Sequence, residues 1–267
     1  MVISTLILKV IISSAIVITL SIIAEKSSPS ISGILSGYPL GTAVVLFFYG
    51  YEVSPDFAAQ SAVFTLLGLI STQAFLYAYY KCSLKCTKFS PIFCSILAFF
   101  VFFTLSSIMQ KFEFSNIGAI ITSVISIPFF IVIFRNLPDV KIKDRKKLGV
   151  NTIFLRAIWA TLIIIVITSI PEIIGKKWAG LFSGFPITLF PLILIMHMTY
   201  KKEHAHSIIK NFPKGLMGLI LYVISIHKLY PVIGIYLGTL LSLIVATIFL
   251  VLVLHIKQRG LQNSISI

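Results

Sequence analysis

No Asp, Glu, Lys or Arg lies between Pro231 and Leu254, and the same is true of 91–109, 115–134, 157–171 and 178–200. Each run is solid in Ile, Leu, Val and Phe, and each is near the ~20 helical residues that cross a hydrocarbon core. Strands of a membrane barrel would read instead as short segments of alternating polarity. The chain is 58% hydrophobic and 11% charged, whereas soluble domains carry roughly 45–50% apolar and about 25% charged residues. The expected fold class is therefore an all-α integral membrane protein, with nine transmembrane helices over 3–24, 31–50, 57–80, 91–109, 115–135, 152–171, 179–199, 208–228 and 231–256. The span at 208–228 is the weakest, because Lys210, Asn211, Pro213 and Lys214 crowd its start.

The formal net charge is +14, and it resides in loops. One side of the expected membrane receives Lys81, Lys85 and Lys88, then the basic stretch from Arg135 to Lys147, then Lys201, Lys202 and Lys210, then Lys257 and Arg259. The other side receives Glu52, Asp56, the near-neutral 110–114, Lys176 and Lys177 near Glu172, and Lys228. The positive-inside rule makes the first side cytoplasmic, with the N-terminus outside and the C-terminus inside a cell (inner) membrane. The basic balance is thus read as topology and attraction to anionic headgroups, and no nucleic-acid partner is expected. The first run lacks a basic leader, is interrupted by Lys9 and is followed by no clear small-x-small site, so it is expected to stay as a membrane helix. Cys82 and Cys86, on the cytoplasmic side with Cys94 nearby, are expected to be ordinary thiols.

A repeat organises the chain. Gly33-Ile34-Leu35-Ser36-Gly37-Tyr38-Pro39 recurs 147 residues later as Gly180-Leu181-Phe182-Ser183-Gly184-Phe185-Pro186. Without a gap the same offset pairs Thr5 with Thr152, Lys9 with Arg156, Glu25 with Glu172, Asp56 with Glu203, Gly68 with Gly215 and Lys81 with Lys228. Charged residues, Gly and Pro are scarce enough here for their co-alignment to indicate duplication. After Lys81 the register fails: Pro231 could match Pro91, or Ile233-Gly234 could match Ile117-Gly118. The expected units are a first half at 1–135 with five helices, a basic cytoplasmic connector at 136–151, and a second half at 152–267 with four. An odd helix count in the first half makes the second enter the membrane in the opposite sense, an inverted-topology repeat.

The repeated motif opens the second helix of each half. Gly37 and Gly184 allow unusual backbone angles and close approach. Pro39 and Pro186 suit the first turn of a helix, and Ser36 and Ser183 suit an N-cap. Together they could restart a helix inside the membrane, leaving free N–H groups and a partial positive charge as an anion site. Paired interruptions in inverted repeats are the usual pointer to a transporter site. The bland alternative is that Gly and Pro only start a helix at the interface and let it pack closely. Lys9 and Arg156 read either as snorkelling bases or as interior groups that bind an anion alternately from the two sides. Glu25 and Glu172 read either as solvated end charges or as coupling carboxylates. Asp56 and Glu203 complement helix N-termini. Met196-His197-Met198 with His204 and His206 has soft-metal character, but Lys201 and Lys202 would repel a cation. No metal or other cofactor is expected, and no catalytic constellation is legible.

The stretch from Arg156 through Ala179-Gly180-Leu181-Phe182-Ser183-Gly184-Phe185-Pro186 resembles the single unit of the small four-helix GlpM-like inner-membrane proteins, and Ser36-Gly37-Tyr38-Pro39 resembles a diverged second copy. The resemblance implies a duplicated membrane unit and carries no substrate. This chain departs from it in having Ser-Gly where Pro-Leu is expected. The expected function is a secondary transporter or permease, for an anionic small molecule or lipid. The competing classes are a non-transporting subunit or scaffold of an envelope complex, and a channel.

Overall fold

The computed structural model describes residues 2–86, 89–140 and 150–263, so most of the expected connector lies outside the described residues. Ten helices follow one another: α1 (Val2–Lys26), α2 (Pro29–Ser36), α3 (Leu40–Glu52), α4 (Pro55–Lys85), α5 (Ser90–Lys111), α6 (Asn116–Phe134), α7 (Val150–Ser169), α8 (Pro171–Ser183), α9 (Leu189–Thr199) and α10 (Lys202–Asn263). Among the described residues five segments are long and apolar enough to cross a membrane: Pro29–Glu52, Pro55–Lys85, Ser90–Lys111, Asn116–Phe134 and Lys202–His255.

The nine expected spans map onto these ten helices with two changes. The spans at 31–50 and 179–199 are each broken at the repeated motif, into α2–α3 and α8–α9. Those at 208–228 and 231–256 are the two arms of α10, which part at Gly234 (φ 76°) and not before Pro231, so that Pro231 lies within the first arm. Start signals explain most boundaries. Ser28 and Ser54 cap α2 and α4 through the amides of Ile31 and Phe57, with Pro at the first turn in both. Ser115 caps α6 through Gly118.

The packing repeats at the sequence offset. Gly33 of α2 lies against the backbone of Ile208 in α10, and Gly180 of α8 lies against Ser61 in α4, 147 residues from Ile208. A Cβ on Gly37 would sit 2.6 Å from the carbonyl carbon of Gly215, and one on Gly184 would sit 2.8 Å from that of Gly68. These glycine contacts of one half on the other come in reciprocal pairs, as in a surface that pairs with its own copy. α1 and α7 show the relative direction. Ser14 Oγ lies 3.1 Å from Thr161 Oγ1, its own equivalent. Lys9 meets the carbonyl of Thr168. Stepping backward along α1 therefore advances along α7, and the two helices run antiparallel.

The end of the repeat is also defined. Beyond the bend, α10 folds back so that Tyr230 meets Gly238 and Thr239, forming a hairpin like that of α4 with α5. The motif aromatic of each half sits against the last helix of the other half's hairpin: Phe185 on Phe99 and Phe102 of α5, Tyr38 on Thr247 of α10. α6 is held by Gln73–Ser126 (2.7 Å) to α4 and by Asn116–His227 (2.9 Å) to α10.

The interior is more polar than the periphery. Ser61, Thr65, Ser71, Thr72 and Gln73 of α4 are fully buried, while Phe100, Ile117, Val232 and Tyr236 are about two-thirds or more exposed. A buried polar group is costly unless it finds a partner, and several here tie helices together. Buried Tyr49 of α3 directs its hydroxyl to the carbonyls of Ile167 (3.3 Å) and Ala179 (3.2 Å), on α7 and α8. Tyr49→Phe removes that donor without changing shape, and thermal unfolding should report a loss of about 0.5–1.5 kcal/mol. No change would mean that the hydroxyl adds nothing to the joint.

Candidate functional site

The two breaks have the same local geometry. Gly37 (φ −79°, ψ −5°) and Gly184 (φ −78°, ψ −6°) adopt ordinary right-handed conformations. The expectation of unusual angles is corrected: the glycines are needed because neighbouring backbone lies where a Cβ would project. Ser36 and Ser183 are not N-caps. They end α2 and α8, where Ser36 Oγ donates to Ser32 O (2.8 Å) and Ser183 Oγ to Gly180 O (2.8 Å). Pro39 is the residue before α3, and Pro186 precedes Thr188, the residue before α9. Their carbonyls accept from Ala43 (2.6 Å) and Phe190 (2.8 Å), closing equivalent first turns.

The restarted helices face each other. A Cβ on Gly41 would lie 3.3 Å from Ile187 Cβ, Thr42 Oγ1 donates to Ser183 O (2.9 Å), and Ser183 Oγ lies 2.5 Å from Thr65 Oγ1. The two breaks are thus in direct side-chain contact.

A cavity of about 740 Å³ lies elsewhere, among the ends of α1, α3, α7 and α8. Lys9, Glu52 and Glu172 contribute its charges, and Leu6, Tyr51, Val53 and Ile173 much of its apolar wall. Lys9 faces the interior: it is 4% exposed. Its ammonium lies 2.7 Å from Glu52, 3.2 Å from the carbonyl of Thr168 and 5.5 Å from the centre of the Phe48 ring. A buried cation in an apolar surrounding needs a counter-charge, and Glu52 provides it.

This geometry separates Lys9 from the break it was expected to approach. Glu52 is the last residue of α3 and Pro39 precedes the first, so the two ends are about 20 Å apart along a helix rising 1.5 Å per residue. Glu172 lines the same cavity as Lys9. The side chains of Arg156 and Glu25 lie outside the described residues. Sequence reasoning missed Glu52 because it lies at a helix end and has no carboxylate counterpart: Thr199 stands 147 residues on. The signal was there, since a base inside a helix demands an acid, and Glu52 is an acid beyond the next helix pair.

Two histidines near the α9–α10 turn have side-chain partners on α4: His197 Nδ1 is 2.9 Å from the Tyr79 hydroxyl, and His206 Nε2 is 2.7 Å from Ser83 Oγ. Among the described residues no three His, Cys, Asp or Glu are placed to hold a metal ion. Cys82 and Cys86 are free thiols with sulfurs 3.6 Å apart. No protein-family model, curated protein or solved structure matches the chain.

Proposed function

We propose that this chain is a multi-pass membrane protein built from two inverted-topology repeats, and that it is a secondary transporter working by alternating access. The observation that carries this reading is the reciprocal packing at one fixed offset, with α1 antiparallel to α7. Two halves related in that way, with helices broken at equivalent points, can rock against each other to expose a site to either side in turn. The cavity opens at one end of the joint between halves, on the side of Glu52 and Glu172, which the charge bias makes the outer side. The substrate expected from the sequence is an anionic small molecule or lipid, and the geometry adds that it must compete with Glu52 for Lys9. The resemblance to the GlpM-like unit supports the duplicated architecture only.

The topology makes an expected result. In a background lacking Cys82, Cys86 and Cys94, Lys146→Cys should react with an impermeant maleimide only after the cells are opened, and Asp56→Cys should react in intact cells. The reverse pattern would invert the orientation, and labelling of both from outside would defeat the odd number of crossings. Transport is tested by flux of organic anions into liposomes holding the purified protein. A panel in which no member crosses faster than into empty liposomes would leave the molecule a scaffold.

A further inference from the structure

Glu52 occupies a position that carboxylates avoid. It is the last residue of α3, where the unsatisfied carbonyls and the helix dipole present negative charge. Glu172 of α8 and Tyr51 line the same cavity, and Asp56 opens α4 a few residues on. α7 brings only Thr168 and Ser169 to this wall. Among the described residues Lys9 of α1 is thus the one cation lining the cavity, and it holds Glu52 at 2.7 Å. The pair is uneven: the Lys9 side chain is 6% exposed and that of Glu52 is 27% exposed. The ammonium is fixed by Thr168 and Phe48, whereas the carboxylate is the member free to swing toward solvent.

We propose that the cavity binds a monoanion at Lys9 in exchange for Glu52, and that each anion bound brings one proton onto Glu52. This deepens the transporter reading and rests on it for the route by which the anion arrives. The charge balance favours the proton. Before binding, one ammonium holds Glu52, and Glu172 lines the same cavity. An anion entering alone would set three negative charges against one positive in a partly desolvated space, at the end of a helix that repels them. When Glu52 gives up Lys9 and takes a proton from water, the reaction is Glu52-COO⁻ + H⁺ + A⁻ giving Lys9-NH₃⁺···A⁻ and Glu52-COOH, and the net charge of the cavity is unchanged. The apolar wall of Leu6, Tyr51 and Ile173 selects an anion with an apolar body. The equivalent of Glu52 in the second half is Thr199, so this exchange belongs to one side of the molecule.

The test is calorimetric titration of the purified full chain with benzoate, in buffers of different protonation enthalpy, with tetraethylammonium as the opposite probe. Near one proton should be taken up per benzoate, and affinity should rise about tenfold for each unit that pH falls while Glu52 is ionised before binding and protonated after. Glu52→Gln keeps an acceptor for Lys9 and should bind benzoate more tightly, without proton uptake or pH dependence. Benzoate uptake without protons, proton uptake that persists in Glu52→Gln, binding of the cation only, or no binding by the wild-type chain would each overturn the proposal. The wild-type proton count needs no variant to fold. If benzoate binds with its proton but never crosses a liposome membrane, the transporter reading fails and the exchange stands. If flux occurs without proton-linked binding at this cavity, the exchange fails alone.

Discussion

Gly33→Val and Gly180→Val should each abolish recovery of folded protein, and should do so to a similar degree. The two positions are equivalent in the repeat, and each is the place where a broken helix touches a helix of the other half. A Cβ at Gly180 would overlap the Ser61 carbonyl and lie 2.6 Å from Phe64 Cβ, while one at Gly33 would overlap the Ile208 carbonyl and lie 3.0 Å from Asn211 Cβ. Main chain cannot step aside as a flexible side chain does, so the helices must separate. Overpacking ordinarily costs about 1–3 kcal/mol, and a backbone obstacle puts these substitutions at or beyond the upper end. Gly218 is the control. Its Cβ would meet Phe249 at 3.4 Å, an ordinary contact, and Gly218→Ala should be neutral or stabilising by up to ~1 kcal/mol through helix propensity. Monodispersity and thermal unfolding in detergent measure all three. Tolerance of valine at both contact sites would refute the packing. Loss at one and tolerance at the other would refute the equivalence of the halves.

The second large effect concerns the ion pair, and it should be lopsided. Glu52→Ala leaves the Lys9 ammonium buried with a carbonyl and a ring but no counter-charge. Removing one partner of a fully buried pair costs about 3–5 kcal/mol, and the 27% exposure of the Glu52 side chain lowers the figure toward ~2–3 kcal/mol through solvent screening. Lys9→Met instead strands a carboxylate that can turn outward, so its cost should be no more than about half as large. The double variant should be less destabilised than Glu52→Ala alone. Equal losses for the two single variants would mean that the pair is solvated and that Lys9 has room to escape, which would remove the premise of the exchange at Glu52.

Much of the architecture was legible because the relevant signals are local or periodic. Uncharged runs opened by a serine and closed by a lysine or arginine marked α4 to α6. The recurrence of scarce residues at one offset located Gly33, Gly37, Gly68 and their counterparts, which are the points where the halves meet. The same reading erred on why those residues are there. Glycine signals both unusual backbone angles and close approach, and a sequence does not say which. At Gly37 and Gly184 it is close approach, with ordinary φ and ψ. The serines of the motif look like N-caps, because capping residues and helix-ending serines share one composition. The last two spans were expected to part before Pro231; they part instead at Gly234, the residue able to adopt φ 76°.

The sequence by itself determined that the chain is helical, that its helices are long and apolar, that a unit recurs at a fixed offset, and that Lys9 needs a partner if it is buried. These follow from composition and spacing, which act along the chain. Only the tertiary structure decided that the partner is Glu52, that the two breaks touch each other, and that a cavity lies at the far end of α3. Lys9 meets the Thr168 carbonyl across 159 residues of sequence. Contacts of that range are set by how whole helices pack, and neither periodicity nor local composition records which charged ends packing will bring together.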